Sequence, residues 1–287
     1  MFSLQGCQGG CMKVFLASPV QLKSPWARID PRPWPLTMSM FLFGLPLGFV
    51  VWVWGGSMVL LGISFVLVLI PVVGWVRDVI TEGTFSGLHS GGVLVTVARG
   101  MMLFIASEAI FFFAFFWGWA HNAWAPSIYR GGVFPSAGVA PVHPMGLPFF
   151  NLARLVWRSG TVNLANGYLR MGKRRGALWF LGITILLGAA FEMAQLREYQ
   201  RAAFGIRDGV FGRSFFLLTG FHGAHVMGGM GFLFFNWVRL FLYHFHYGFN
   251  VGWVARVWYW HFVDVIWVFL WVGVYGWGGW GHYSYLG

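Results

Sequence analysis

The sequence predicts an all-α integral membrane protein with seven transmembrane helices, and two observations carry that prediction. Hydrophobic residues make up 58% of the 287-residue chain and charged ones only 9%, against roughly 25% charged in soluble domains. Too few polar side chains exist to cover a globule in water. Apolar runs of about 20 residues recur along the chain, each long enough to cross a bilayer as a helix.

The elements follow in order. Residues 1–35, ending RIDPRPWP, form an N-terminal arm that meets the bilayer at Trp34. Its short apolar patches are broken by proline and basic residues, so no cleavable signal is expected. The first span covers about 36–54 and the second, after Gly55-Gly56, about 57–76, with Pro71 near its end. Bilayer helices tolerate such prolines better than soluble ones. The connection RDVITEGTFSGLHSGG (77–92) is polar and glycine-rich. The third span, about 93–120, leads into a long Pro/Gly loop at 121–146. The fourth, about 147–169, is the least apolar because it contains Arg154 and Arg158, and RMGKRRG (170–176) stops it. Spans of about 176–196, 214–241 and 251–279 complete the set, and 280–287 is a C-terminal tail. No internal repeat is visible, which argues against an inverted-repeat transporter.

The net charge is +11. The basic residues lie between spans rather than on one surface. That pattern excludes nucleic acid as partner and fits membrane orientation and contact with anionic headgroups. With the N-terminus inside, the inner side collects twelve: four in the arm, Arg77, Arg99, four in 170–175, Arg239 and Arg256. The outer side collects five: Arg130, Arg197, Arg201, Arg207 and Arg213. This predicts an inner N-terminus and an outer C-terminus, with the aromatic end YGWGGWGHYSY at the outer interface. Cys7 and Cys11 are the only cysteines. A lone CxxxC supports neither a disulfide framework nor a zinc site, which needs four ligands.

Ionisable groups inside spans cost on the order of 2.5 kcal/mol or more at the bilayer centre, so each needs a reason. Glu108 sits about halfway along the third span among Phe104, Phe111, Phe112 and Phe115. Desolvation there is expected to keep it protonated and neutral. Its role is either a hydrogen bond to a neighbouring helix or proton handling and lipid contact. His222 and His225 share a face of the sixth span. Neither CxxCH nor HExxH occurs, so packing or headgroup contact is expected rather than ligation. The small residues Gly220, Gly223, Ala224, Gly228, Gly229 and Gly231 around them favour close helix approach. His261 and Asp264, three apart in WYWHFVDVIWVFLW, can neutralise each other or bridge to another helix. Glu192 has only Arg197 within reach on its own helix.

Four long stretches, RDVITEGTFSG, SEAIFFFAFFWGWAH, TGFHGAHVMGG and WYWHFVDVIWVFLW, stand here in the order of the hallmark stretches of cytochrome c oxidase subunit III, a family this chain resembles from RPWPLT (32–37) to YGWGG (275–279). The resemblance implies seven helices, the first two leaning away from a five-helix bundle and leaving a lipid-filled cleft. It implies a non-catalytic subunit with no metal or redox centre of its own, beside subunits I and II and accessory subunits, haem and copper lying in those partners. The complex would reduce oxygen with electrons from cytochrome c and move protons, in the mitochondrial inner membrane with the N-terminus in the matrix, or in a bacterial plasma membrane. By position, Glu108 would be the buried acid associated with proton uptake. Trp75, Arg77, Glu82, His89 and His225 would lie near phospholipid headgroups, and Arg239 and His244 near cardiolipin. His261 and Asp264 would form a structural polar pair. The chain departs from the family pattern at NLANGYL (163–169), at Arg154, Arg158 and Glu192, and in its longer arm. Two competing readings are a haem-binding redox subunit using His222, His225 and His261, and a secondary transporter using Glu108 and Asp264.

Overall fold

The computed structural model describes residues 31–128, 131–136, 138–245 and 251–279. The N-terminal arm up to Asp30, with Cys7 and Cys11, and the tail at 280–287 lie outside the described residues. Seven α-helices and no strand occur among those described: α1 Trp34–Val53, α2 Val59–Ile80, α3 Gly91–Trp124, α4 Leu147–Arg170, α5 Arg174–Arg201, α6 Gly209–Phe241 and α7 Val251–Leu270. Single π-helical turns extend α2 over Thr81–Phe85 and α7 over Trp271–Trp277. Helices α1, α2, α3, α5 and α7 are long and apolar enough to cross a membrane by length and composition. Helix α4 carries Arg154, Arg158 and three asparagines, and α6 is diluted by glycine and histidine, so hydropathy alone marks neither. Several helices outrun the apolar stretches: α3 continues to Trp124, α5 to Arg201, and α6 begins at Gly209. Backbone hydrogen bonding continues into polar sequence beyond the hydrocarbon, where hydropathy is blind.

The chain divides into two units at residue 95. In the first, α1 and α2 form an antiparallel hairpin turned at Gly55, whose φ of 87° is open to glycine at no steric cost. The helices meet at glycine: a Cβ on Gly48 would stand 2.7 Å from the Leu61 backbone, and one on Gly44 2.5 Å from Ser64 Oγ. GLPLG (44–48) therefore works as a small-xxx-small contact, the device that replaces hydrophobic attraction when the solvent is lipid. Polar contacts tie the open end of the hairpin. Arg32 bonds Asp78 at 2.8 Å and Glu82 at 2.7 Å, and Trp34 Nε1 donates to Asp78 at 2.6 Å. Gly74 makes room for the Trp34 ring.

In the second unit α5 packs on both α4 and α6, and α7 on both α4 and α6. An aromatic core gathers Phe112, Phe191, Phe211, Phe215, Trp267 and Tyr275, all nearly or fully buried. A second cluster, around Val162, Leu181, Leu233 and Trp260, lies where α4, α5, α6 and α7 converge. The small residues of α6 divide in role. A Cβ on Gly229 would meet the Trp260 ring at 2.9 Å and one on Gly223 would meet Glu192 at 3.4 Å, whereas Gly220 and Gly231 face open space. Glycine spacing on a helix does not by itself say which glycines face a neighbour.

Candidate functional site

Among the polar contacts inside the second unit, two involve the residues singled out in the sequence, and each joins helices distant in sequence. In the first, α3 carries Glu108 and α6 carries His225, with Glu108 Oε2 2.9 Å from His225 Nε2. The other ring nitrogen, Nδ1, lies 2.6 Å from the Phe221 carbonyl oxygen one turn back. A carbonyl oxygen only accepts, so Nδ1 carries a proton and donates it. Nε2 and Glu108 then share one further proton. Either the carboxyl O–H donates to a neutral imidazole, or an imidazolium donates to a carboxylate. Both arrangements are neutral as a pair, which removes the cost of an isolated charge in hydrocarbon. The rings of Phe112, at 4.9 Å, and Phe111, at 6.3 Å, flank His225, and Tyr259 from α7 reaches the His225 carbonyl. The pair is not sealed, since Glu108 keeps 24% and His225 16% of its side-chain surface. A group that can hold a proton in two places and still touch its surroundings can exchange it.

The second contact lies at Asp264 of α7, where the structure adds a bridge to another helix to the looser contact with His261. Arg158 of α4 donates from Nε and Nη2 to Asp264 Oδ1 at 3.1 and 3.0 Å. His261 Nδ1 stands 3.8 Å from the other carboxylate oxygen. His261 spends its ring on α4 instead: Nε2 contacts Asn163 Oδ1 at 3.1 Å and Nδ1 contacts Ser159 Oγ at 3.1 Å. Nε2 donates to the amide oxygen and Nδ1 shares a hydrogen bond with the serine hydroxyl. The charge that balances Asp264 is therefore Arg158, fully buried and sandwiched between the Phe191 ring (5.0 Å) and the Trp260 ring (4.5 Å). A signal for this pairing was present in the sequence. An aspartate in a span needs a cation from another span, and only α4 carries arginines in mid-run.

The remaining residues fall as follows. Trp75 and Arg77 are exposed on α2, Glu82 is paired with Arg32, and the His89 imidazole packs against Gly83. Arg239 lays its guanidinium over the Phe245 ring at 4.6 Å, and the His244 amide donates to the Arg239 carbonyl at 3.0 Å. Arg154 bonds Asn151 at 2.7 Å. No ion pair joins Glu192 to Arg197 among the described residues; Glu192 lies against Gly223. Two buried contacts were not foreseen in the sequence, where Arg256 counted only as an inner-side cation. Tyr275 donates to Glu198 at 2.5 Å across α5 and α7, and Arg256 stacks on Trp253 at 3.4 Å.

His225 and His261 have both ring nitrogens engaged, and His222, 1% exposed, donates Nε2 to the Val263 carbonyl at 3.2 Å. That leaves the haem reading without a free pair of ligands. Among the described residues no group of three or more His, Cys, Asp or Glu side chains converges as a metal site.

Comparison with known proteins then decides the family. The profile described as "Cytochrome c oxidase subunit III" matches residues 24–279. The chain belongs to the cytochrome c oxidase subunit III family. "Cytochrome c oxidase subunit 3" of Polypterus ornatipinnis is 44% identical over 250 residues, covering 87% of this chain and 96% of the relative. Those of Branchiostoma lanceolatum and Scyliorhinus canicula are each 42% identical over 254 residues, covering 88% of this chain and 97% of the relative. The matched region of this subunit III chain contains every helix described above.

Proposed function

We propose that the chain serves as a non-catalytic core subunit of cytochrome c oxidase, respiratory complex IV. It supports a catalytic subunit in oxygen reduction coupled to proton translocation, and the haem and copper centres lie in partner subunits I and II. It does so in the mitochondrial inner membrane, the N-terminus facing the matrix, the orientation favoured by twelve inner basic residues against five outer ones. Phospholipids contact it at two places. In the first unit exposed Trp75 and Arg77 offer an interfacial ring and a cation, with Glu82 and His89 beside them. In the second, Arg239 and His244 at the end of α6 suit the phosphates of cardiolipin.

The observation that carries the mechanistic part is the Glu108–His225 contact. It is a one-proton unit flanked by phenylalanine rings. The shared proton can move between its two members without creating net charge, and the pair cannot carry electrons. Glu108→Gln keeps the shape and a hydrogen bond to His225 while removing the exchangeable carboxyl proton. In reconstituted vesicles the assembled variant is expected to consume oxygen at near the wild-type rate. Proton release, or activity sustained over many turnovers, falls by a modest factor. Loss of oxygen reduction in a fully assembled complex would make Glu108 obligatory and overturn this role.

A further inference from the structure

We infer that the outer end of the α5–α6 pair is a docking surface for an acidic segment of a neighbouring polypeptide, gripped by Arg197, Arg201, Arg207 and Arg213. The inference rests on the reading of this chain as a subunit of a larger complex with its N-terminus inside. Four of the five outer basic residues fall between positions 197 and 213. Membrane proteins keep arginine away from the translocated side, so a cluster there needs a reason of its own. All four residues are exposed, and none of them forms an ion pair among the described residues.

The two carboxylates of this stretch are engaged elsewhere. Glu198 is buried and accepts from Tyr275. Asp208 spends Oδ2 on the Gly205 amide at 2.6 Å, which braces the turn that carries Arg207. The platform beneath the cations is held from within. Phe204 is buried, its ring 5.3 Å from Phe211 and 5.1 Å from Phe215. A Cβ on Gly212 would stand 2.2 Å from the Gly205 carbonyl oxygen, so the first turns of α6 press against the loop. The Tyr199 and Thr219 hydroxyls, 2.7 Å apart, tie α5 to α6 just below. The backbone that presents the four guanidinium groups is thus in place before a partner arrives, and binding has only long side chains to order. Each guanidinium can grip a carboxylate through two parallel N–H bonds. Ile206, 52% exposed beside Arg207, sets an apolar side chain among the charges. A peptide that carries both acidic and apolar side chains covers the two together. A phospholipid headgroup offers negative charge as well, but anionic lipid concentrates in the inner leaflet, on the opposite face from this surface.

The test uses the whole oxidase complex. The chain has no lysine beyond Lys173, so Arg201→Lys with Arg207→Lys keeps the charge and places two amines at this surface alone. A water-soluble carbodiimide joins an amine to a carboxylate that touches it. Mass spectrometry of the digested complex should find residues 197–213 linked to an acidic segment of another polypeptide. Lysines recovered only unlinked would overturn the inference. Replacing all four arginines by glutamine should lower retention of the linked polypeptide in the purified complex by on the order of tenfold. Moderate salt should weaken the wild-type contact in the same direction. The glutamine variant still has its excess of inner cations, so its orientation in the membrane is unaffected. Full retention of the linked polypeptide in that variant would overturn the inference. So would loss of phospholipid with every polypeptide retained, which would make the patch a headgroup surface. If the chain failed to enter an oxidase complex at all, the reading beneath the inference would fail instead.

Discussion

The α1–α2 hairpin and the α3–α7 unit solve the same problem with different chemistry. Along α1 the only buried residue is Gly48, and along α2 only Ser64 and Pro71 are buried. Large apolar side chains such as Phe43, Val53 and Val73 point outward, each more than 60% exposed. In lipid such surfaces gain nothing by burial, because acyl chains are as apolar as the side chains. The hairpin therefore relies on backbone approach at Gly44 and Gly48 and on the Arg32, Trp34, Asp78 and Glu82 contacts at its open end. The second unit buries most of one face of α4, α5 and α6 and puts arginine, aspartate, glutamate and histidine inside. Apolar faces tell one helix little about its partner in lipid, and a polar group wants one particular partner. The difference teaches where specificity comes from: close approach of small residues in one unit, matched polar groups in the other.

The strongest way to break that comparison is at Arg158 and Asp264. Removing one member of a buried ion pair leaves the other charge uncompensated, at a cost of about 3–5 kcal/mol. Asp264→Asn should thus cut the yield of assembled complex by on the order of tenfold or more, with normal turnover per haem in what assembles. Replacing both partners by apolar side chains of similar size, Arg158→Met with Asp264→Leu, should recover most of the yield, because both desolvation penalties vanish together. A double variant as poor as the singles would show that the charges serve something besides each other. Normal assembly with a tenfold fall in turnover would make the pair functional rather than structural.

The same contrast explains what the sequence made legible. Apolar runs marked all seven spans, because a helix in lipid must satisfy its backbone internally and present apolar side chains outward. The signal was blunt at α4, where Arg158 reads as a defect until Asp264, 106 residues away, is seen to be its partner. Residues three apart on a helix are neighbours, so on sequence His261 and Asp264 either neutralise each other or bridge to another helix. The carboxylate holds the distant partner more closely than the local one: a guanidinium offers a permanent charge and two donors, while the imidazole stays 3.8 Å away with Ser159 and Asn163 at hand. His225 followed the same course. On sequence it stood beside His222 as a packing or headgroup residue, and only the approach of α3 to α6 reveals Glu108 as its partner. Lateral helix order in a bilayer leaves little trace in composition, so interhelical pairs were the least visible part.

In the hairpin the corresponding test is steric and smaller. Gly48→Ala would drive a Cβ into the Leu61 backbone, which cannot move aside as a flexible side chain could. Overpacking of that kind costs about 1–3 kcal/mol. Gly62, on the facing helix, has nothing within 4 Å of where its Cβ would stand. Gly62→Ala should therefore be neutral or stabilising, by up to about 1 kcal/mol of helix propensity. Heating the two purified variants beside wild type and following retention of this subunit should separate them in opposite directions. Equal behaviour would mean that the hairpin is not held by the glycine contact.

The smallest effect is expected at His261, and it is the sharpest test of the partner assignment. Its imidazole joins α7 to Ser159 and Asn163 of α4, and it keeps 36% of its side-chain surface against 7% for Asp264. Interhelical polar contacts of this kind average roughly 0.6 kcal/mol, and removing a partly exposed ring leaves Asp264 its bond to Arg158. His261→Ala should then assemble at close to wild-type yield, lose under about 1 kcal/mol of heat stability, and turn over normally. Because Arg158 remains to compensate Asp264, the two α7 variants should differ widely although their side chains are one turn apart. If His261→Ala instead damaged assembly as severely as Asp264→Asn, the imidazole would be the essential counterpart of the carboxylate. The assignment of that role to Arg158 would then be wrong.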